Sequence, residues 1–417
     1  MKSWNRPGVP TLPSTGIVPR VWDTSSATLV EARPDRIAGI YVCGITPYDA
    51  THIGHAATYL AYDTIIRLWL DAGLDVHYVQ NVTDVDDPLL ERATATGVDW
   101  RDLAGSQIDL FRGDMEALAI IPPDHYVAVT EMISPTADAV KNLVDSGIGY
   151  YVDRDIYFDS SAASASSPWS LGDESGLGRE EMLRLSAERG GDPDRIGKRD
   201  ALDPLLWRGA RAGEPSWDTV LGAGRPGWHI ECAVIAAQHL GLPFAIQAGG
   251  SDLAFPHHEF SAGHAAALTQ HSLAECYSHA GLVAYQGEKM SKSLGNLVFV
   301  SKLLESGVDA RAIRLALLSQ NYRGEWEWTE AILREAEDRL RSWLQWAESS
   351  PLATPDAAVL ANSNEPTAFI TELRGILSED VNTAGALAAI DATIAAGSTA
   401  ADVDLAAIDA LLGIRLC

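Results

Sequence analysis

The sequence predicts an α/β protein: a parallel sheet with helices, interrupted by an insertion and followed by an all-helical segment. Three observations carry this. Short apolar runs alternate with helix-like segments in both the first third of the chain and its middle. Residues 122–203 break that alternation, and beyond Lys292 the strand signals stop while helical spacing continues. Strand, helix, strand, helix is the pattern of a parallel sheet.

The first forty residues are rich in Pro and Ser and read as an extended entry plus a first strand. IAGIYVCG (37–44) is a short apolar run ending in Gly, as a buried strand does. The next segment, 46–73, reads as a loop and then a long helix closed by Gly73. DVHYVQNV (75–82) is a second buried strand. TDVDDPLLERATATG (83–97) opens a helix, with Asp84, Asp86 and Asp87 as charges suited to its start. In the insertion, GYYVDRDIYFD (149–159) has the look of a hairpin, and the Ser/Gly-rich stretch 160–178 that of a mobile loop. Alternation then resumes with a loop and helix over 225–241, a strand over 243–250 and a helix over 255–270. Helical spacing recurs over 309–320, 329–347, 366–377 and 383–396, where Trp326, Trp328, Trp343 and Trp346 are spaced for packing. The expected division is 1–121 and 204–296 for the two halves of the core, 122–203 for the insertion and 297–417 for the helical bundle.

The 417 residues carry 31 Lys and Arg against 57 Asp and Glu, a formal net charge of −26. Such a field keeps a protein soluble and repels polyanions. The four cysteines, Cys43, Cys232, Cys276 and Cys417, are too scattered for a disulfide framework, which points to a reducing compartment. The amino terminus lacks an apolar signal core, and no run reaches the roughly 18 apolar residues of a membrane span. A soluble, cytoplasmic protein with no membrane partner is expected, with a monomer as the working assumption.

Two short motifs carry chemistry. His52-Ile53-Gly54-His55 falls between a strand and a helix, where free N–H groups and the positive dipole end favour phosphate. Gly54 permits close approach, and the two histidines can donate to a pentavalent phosphorus centre. Late in the chain, Lys289-Met290-Ser291-Lys292-Ser293 offers lysines to neutralise charge on an α-phosphate and a departing diphosphate. Either motif alone is weak: a basic pentapeptide is usually a solvated surface loop. Their order, one near each end of an α/β sheet, makes them a pair.

Together with YVCGITPYDATHIGHAATYLAYD, YVQNVTDVDD, GAGRPGWHIEC, GGSDLAFPHHE and KMSKSLGN, this pair resembles the class I aminoacyl-tRNA synthetases, and cysteinyl-tRNA synthetase in particular. The resemblance covers about 37–296 and continues more weakly in NYRGEWEWTE and EDVNTAGAL. It implies a Rossmann-like (HUP-type) catalytic core with an inserted domain, then a helical bundle. It also implies His52, His55, Lys289 and Lys292 as the groups that stabilise adenylate formation. By the same resemblance, Cys43, Gly44, Ile45, Thr46, Thr58, Asn81, Val82, Thr83, Trp228, Gly250, Ser251, Asp252 and Val283 contact the cysteinyl adenylate or ATP. Trp228 would wall the cysteine pocket and Asp252 would bind the nucleotide ribose.

Family zinc ligands match Cys43, Cys232 and His257, so one Zn²⁺ per chain is implied, with Mg²⁺ accompanying ATP. Thiolate is a soft ligand for zinc and a serine hydroxyl a poor substitute, so metal–sulfur bonding distinguishes the two amino acids. One departure concerns the fourth family ligand, a Glu four residues after the matched His; here that position is Ser261. Three protein ligands plus the substrate sulfur, or Glu259 turned inward, would complete the shell.

Several features separate the chain from the synthetases proper. Over 342–417 only Arg374 and Arg415 are basic, against ten acids, which suits an anticodon stem poorly because phosphate contacts supply most nucleic-acid affinity. An anticodon-binding extension is expected to be missing. Ile45 and Pro47 replace the usual Pro and Val, Pro88 replaces a usual Lys, and the insertion carries Glu188-Arg189-Gly190-Gly191-Asp192-Pro193. These details resemble the cysteine ligases of mycothiol biosynthesis. That resemblance implies ATP, L-cysteine and glucosaminyl-inositol as partners, no tRNA, and an amide product with release of AMP and diphosphate. No base for the amine is visible, and the ERGGDP run is the expected place for acceptor contacts. A short cysteinyl-tRNA synthetase and a non-catalytic, zinc-dependent thiol-binding protein are the alternatives.

Overall fold

The computed structural model describes residues 1–31, 37–48, 51–290, 296–350 and 365–417. Its centre is a five-stranded, all-parallel sheet in the order Ala274–Ala280, Phe244–Gly250, Ile37–Val42, Asp75–Val82, His125–Ala128. The expected α/β class is therefore observed. Parallel sheets need cover on both faces, and two apolar clusters supply it. Because side chains alternate along a strand, Ile40 and Val42 face the cluster shared with the helical bundle. Tyr41 and Cys43 face the cluster shared with the insertion. Strand Ile37–Val42 has its sequence successor, Asp75–Val82, on one side and Phe244–Gly250 on the other. The carboxyl ends of these strands therefore form a topological switch point, the usual place for a ligand in an open α/β sheet.

The insertion contributes a five-stranded sheet of antiparallel pairings, ordered Gly149–Val152, Asp155–Phe158, Leu205–Gly209, Gly222–Pro226, Trp217–Thr219. The 149–159 hairpin is present, and three strands of the same sheet come after residue 203. The mobile loop expected over 160–178 is instead ordered. Ser160–Ser166 is a helix capped by Asp159, whose side chain accepts the Ala162 amide at 2.8 Å, and Trp169 is buried. Ser/Gly composition signals weak local preference, and tertiary packing overrides it here.

Carboxyl-terminal helices occupy Ala310–Leu318, Glu330–Ala347, Ala368–Ser378 and Thr383–Ala395, close to the expected spans, with Val300–Glu305 and Asp402–Leu412 in addition. Trp328, Trp343 and Trp346 are core residues, and Trp326 is partly buried against them. Strand signals do not stop at Lys292, however. The two-residue strand Trp326–Glu327 pairs with Val283–Tyr285, too short to leave a period in the sequence. Among the described residues no helix is long and apolar enough to cross a membrane.

A buried charge cluster joins the bundle to helix Ile53–Asp71. Asp63 accepts from Arg67 at 2.8 Å, from Arg314, and from the Ile121 amide at 2.8 Å. Both guanidiniums also donate to carbonyls, Arg67 to Asp409 and Ala119, Arg314 to Leu412 and Leu118. Burial pushes the Asp63 carboxyl up, yet the two arginines outweigh it and hold it below the ordinary value. Replacing Asp63 by Ala strands two buried cations. It is expected to cost about 3–5 kcal/mol in denaturant unfolding; a loss under about 1 kcal/mol would contradict this role.

Candidate active site

At the switch point the chain passes from strand Ile37–Val42 into Cys43 and Gly44, whose backbone runs against the neighbouring strand end. A Cβ at position 44 would lie 1.6 Å from the Asn81 carbonyl oxygen, so glycine is required. The Gly44 amide donates to Asn81 Oδ1 at 2.8 Å, Asn81 Nδ2 donates to Thr83 Oγ1 at 3.1 Å, and the Thr83 amide donates to the Ile45 carbonyl at 3.0 Å. Asn81, Val82 and Thr83, expected to contact the adenylate or ATP, are not among the residues lining the cavity of this site, and the bonds of Asn81 and Thr83 fix the Cys43–Ile45 turn.

Cys43, Cys232 and His257 meet here, their ligand atoms all within 4.8 Å of one another, each side chain buried. Cys232 comes from helix Trp228–Leu240 and His257 from the turns before helix Glu259–Thr269. His257 Nε2 is 3.2 Å from Cys232 Sγ. Burial opposes ionisation of both thiols. At Cys232 the hydrogen bond from Cys43 and the His257 ring outweigh burial and hold the thiol well below its ordinary value, while Cys43 is pushed up. The pair thus releases its first proton at Cys232. Two sulfurs and an imidazole in a buried cluster are the donor set of a zinc site with one open position, and the cluster is consistent with zinc.

Among the described residues no carboxylate completes this set. Ser261 Oγ donates to the His229 carbonyl at 2.9 Å. Glu259 is held elsewhere: it accepts from Trp169 Nε1 at 3.1 Å, from the Gly172 and Ser175 amides at 2.9 Å each, and from Ser175 Oγ at 2.7 Å. Glu259 therefore points away from the cluster and serves as the anchor of the insertion loop. Sequence reasoning missed the groups packed around the cluster. His258 Nε2 and Gln247 Nε2 lie 3.2 and 3.4 Å from Cys43 Sγ, and His229 Nδ1 lies 3.1 Å from His257 Nδ1. Burial keeps His229 and His258 well below the ordinary histidine value, hence neutral. The HH pair in FPHHE was the available signal for His258.

Above the cluster lies a cavity of about 760 Å³. Cys43–Thr46, His52, Gly54, His55, Thr58, Trp228, Gly250, Asp252, Val283 and Met290 line it, so most of the expected contacts share one space. Cys232 and His257 sit beneath the wall, and Ile53, Ser251 and Pro193 are not in it. The His52 and His55 rings stack at 3.9 Å, and His52 Nδ1 accepts the Gly54 amide at 3.1 Å. Trp228 packs on His257, 4.4 Å between ring centroids. The residues after the basic loop return to this point: the Ile53 amide donates to the Val298 carbonyl at 2.8 Å. Ser291, Lys292 and Ser293 lie outside the described residues, and Lys289 is placed by its backbone alone, in strand Glu288–Lys289. Glu188, Arg189, Gly190, Gly191 and Asp192 line the opposite wall.

Residues 29–338 match the family model described as tRNA synthetases class I (C) catalytic domain. The chain is 58% identical to the L-cysteine:1D-myo-inositol 2-amino-2-deoxy-alpha-D-glucopyranoside ligase of Clavibacter michiganensis subsp. michiganensis, covering 100% of this chain and 99% of that protein. It is 52% identical to the protein of the same name from Paenarthrobacter aurescens, over the full length of both. Among solved structures, Mycobacterium tuberculosis methionyl-tRNA synthetase in complex with methionyl-adenylate superposes with a TM-score of 0.60, covering 91% of this chain and 88% of that one. At 17% identity that likeness shows the fold alone.

Replacing Glu259 by Ala leaves its loop donors without their acceptor. It is expected to lower stability by about 1–3 kcal/mol and to speed thermolysin cleavage within 169–176. Unchanged cleavage would show that the loop is held by something else.

Proposed function

The chain belongs to the L-cysteine:1D-myo-inositol 2-amino-2-deoxy-alpha-D-glucopyranoside ligase family, on a class I cysteine-type tRNA synthetase catalytic domain, and we infer from this that it joins L-cysteine to the amine of glucosaminyl-inositol in mycothiol biosynthesis. ATP is cleaved: AMP and diphosphate leave, and the cysteinyl carbonyl passes to nitrogen. The observation that carries the reading is the convergence of Cys43, Cys232 and His257 beneath a cavity that His52 and His55 also line.

A zinc ion held by Cys43, Cys232 and His257, one per chain, would supply a soft, Lewis-acidic position for the substrate thiolate, which a serine hydroxyl matches poorly. The remaining work falls to the chain. Trp228 closes the pocket against His257 and keeps the amino acid oriented. In the first step the cysteine carboxylate attacks the α-phosphorus of Mg²⁺-bound ATP and diphosphate leaves. His52 and His55, stacked at the start of helix Ile53–Asp71, stand where that charge develops. Lys289 and Lys292 are assigned to the same transition state from the motif. In the second step the amine attacks the cysteinyl carbonyl and AMP leaves.

Against tRNA as acceptor stands the electrostatics of the carboxyl-terminal helices. Of the two basic residues in 342–417, Arg374 is buried and bonded to Asp71 at 2.7 Å and to the Pro13 carbonyl at 3.0 Å, so it does not face a phosphate.

With cysteine, ATP and Mg²⁺ supplied, the amino sugar is expected to yield an amide of the corresponding mass with matching AMP release, and tRNA to remain uncharged. Efficient tRNA charging without amide would return the chain to the synthetases. Metal analysis is expected to give one zinc per chain. Cys232→Ala should lose it and narrow the preference for cysteine over serine by about tenfold or more; full activity in zinc-free protein would overturn the metal assignment.

A further inference from the structure

The cavity has two unlike walls, and adenylate formation uses only one of them. The other is built from the insertion and the start of helix Asp87–Thr96. In the ERGGDP run, expected to hold the acceptor, the charged groups already have partners, Glu188 pairing with Arg184. Arg189 Nη1 donates to the Asp252 carbonyl at 2.6 Å and to that of Phe255, and Asp192 accepts from Lys198 Nζ at 3.0 Å and from the Tyr157 hydroxyl. That run ties the insertion to the core.

Asp86 and Asp87 are differently placed. Asp86 Oδ1 accepts the Asp87 amide at 2.8 Å, and no hydrogen bond reaches its Oδ2 among the described residues. Asp87 Oδ1 accepts from Arg208 Nη1 at 3.0 Å and from Arg225 Nη2. These arginines stand opposite each other on paired antiparallel strands, an arrangement that like charges disfavour. Asp87, with Glu214 3.3 Å from Arg225, offsets it. Arg225 is only 5% exposed and still lines the cavity. Among the residues that line this wall, Asp86, Asp87, Glu91, Glu188, Asp192 and Asp203 outnumber Arg189, Lys198, Arg208 and Arg225, which leaves acid in excess. Such a wall repels phosphate and favours an ammonium or a neutral polyol.

We propose that this wall is the acceptor subsite, in which the Asp86 carboxylate holds the attacking amine and takes its proton while the Asp87–Arg208–Arg225 cluster holds the ring hydroxyls. The proposal rests on the ligase reading above. In the step it assigns, a C–N bond forms between the amine and the cysteinyl carbonyl carbon. The bond from that carbon to the phosphate oxygen breaks, and its electron pair leaves with AMP. The amine proton passes to Asp86 Oδ2 and then to water. Burial raises the Asp86 carboxyl, opposed by the Asp87 amide and by Arg225 and Arg208, and reinforced by the Asp87 charge. A carboxylate raised above its ordinary value is a stronger base.

The test uses full-length, metal-loaded Asp86→Asn and Arg208→Gln variants. Cysteine-dependent ATP–diphosphate exchange reports adenylation. Hydroxylamine, a small nucleophile that needs no sugar subsite, traps the adenylate as cysteine hydroxamate. Asp86→Asn is expected to keep both within about twofold of wild type while amide formation on the amino sugar falls about a hundredfold or more. Arg208→Gln is expected to raise KM for the amino sugar about tenfold with kcat and exchange retained. An Asp86→Asn enzyme that forms amide at the wild-type rate overturns the proposal. So does one that loses exchange and amide together, since that places Asp86 in adenylation. Wild-type protein that makes hydroxamate but no amide would sink the ligase reading first, and this proposal with it.

Discussion

Three side chains far apart in sequence, Cys43, Cys232 and His257, have to meet in the protein interior with their donor atoms free to share one ion. Much of the surrounding structure serves that requirement. A parallel strand places Cys43 at the switch point, the close Gly44–Asn81 contact fixes its turn, and helix Trp228–Leu240 and the turns before helix Glu259–Thr269 bring the other two ligands. A buried thiol pair is costly to ionise. The Cys43 hydrogen bond and the His257 ring reduce that cost at Cys232, and the neutral imidazoles of His229 and His258 add no competing cation. The chain thus carries a metal-ready cluster rather than two inert core cysteines.

The insertion is coupled to this cluster through Glu259. A residue two positions from His257 accepts four hydrogen bonds from Trp169, Gly172 and Ser175, while Arg189 grips carbonyls on either side of the same turn. The loop that carries the third ligand and the wall that faces the cavity are therefore one mechanical unit. On the opposite side of the sheet, the Asp63–Arg67–Arg314 cluster ties the helix that begins at the stacked histidines to the bundle. Both walls of the cavity are fixed by buried polar contacts, and such networks specify a unique arrangement only when their members are satisfied.

The fold was legible where local pattern and tertiary role agree. IAGIYVCG and DVHYVQNV are strands, and the helical periods of the last hundred residues are helices, because burial imposes those periods directly. It was not legible where long-range contacts decide. The Ser/Gly-rich 160–178 stretch has little preference of its own and is ordered by Glu259, ninety residues from Trp169. Strand Trp326–Glu327 exists through its pairing with Val283–Tyr285. At the site, the cysteines and the histidine motif were legible through resemblance. The roles of Asp86 and Asp87 were not: both suit a helix start, and only the fold brings Arg208 and Arg225 to them.

In the proposed reaction the Cys43–Cys232–His257 cluster reads the thiol of the substrate directly. Zinc K-edge X-ray absorption on the metal-loaded protein, with and without cysteine, measures this without reference to turnover. The account predicts two sulfur scatterers at about 2.3 Å in the free enzyme and three with cysteine bound, and no change on adding serine. A sulfur count that stays at two when cysteine is saturating would contradict it.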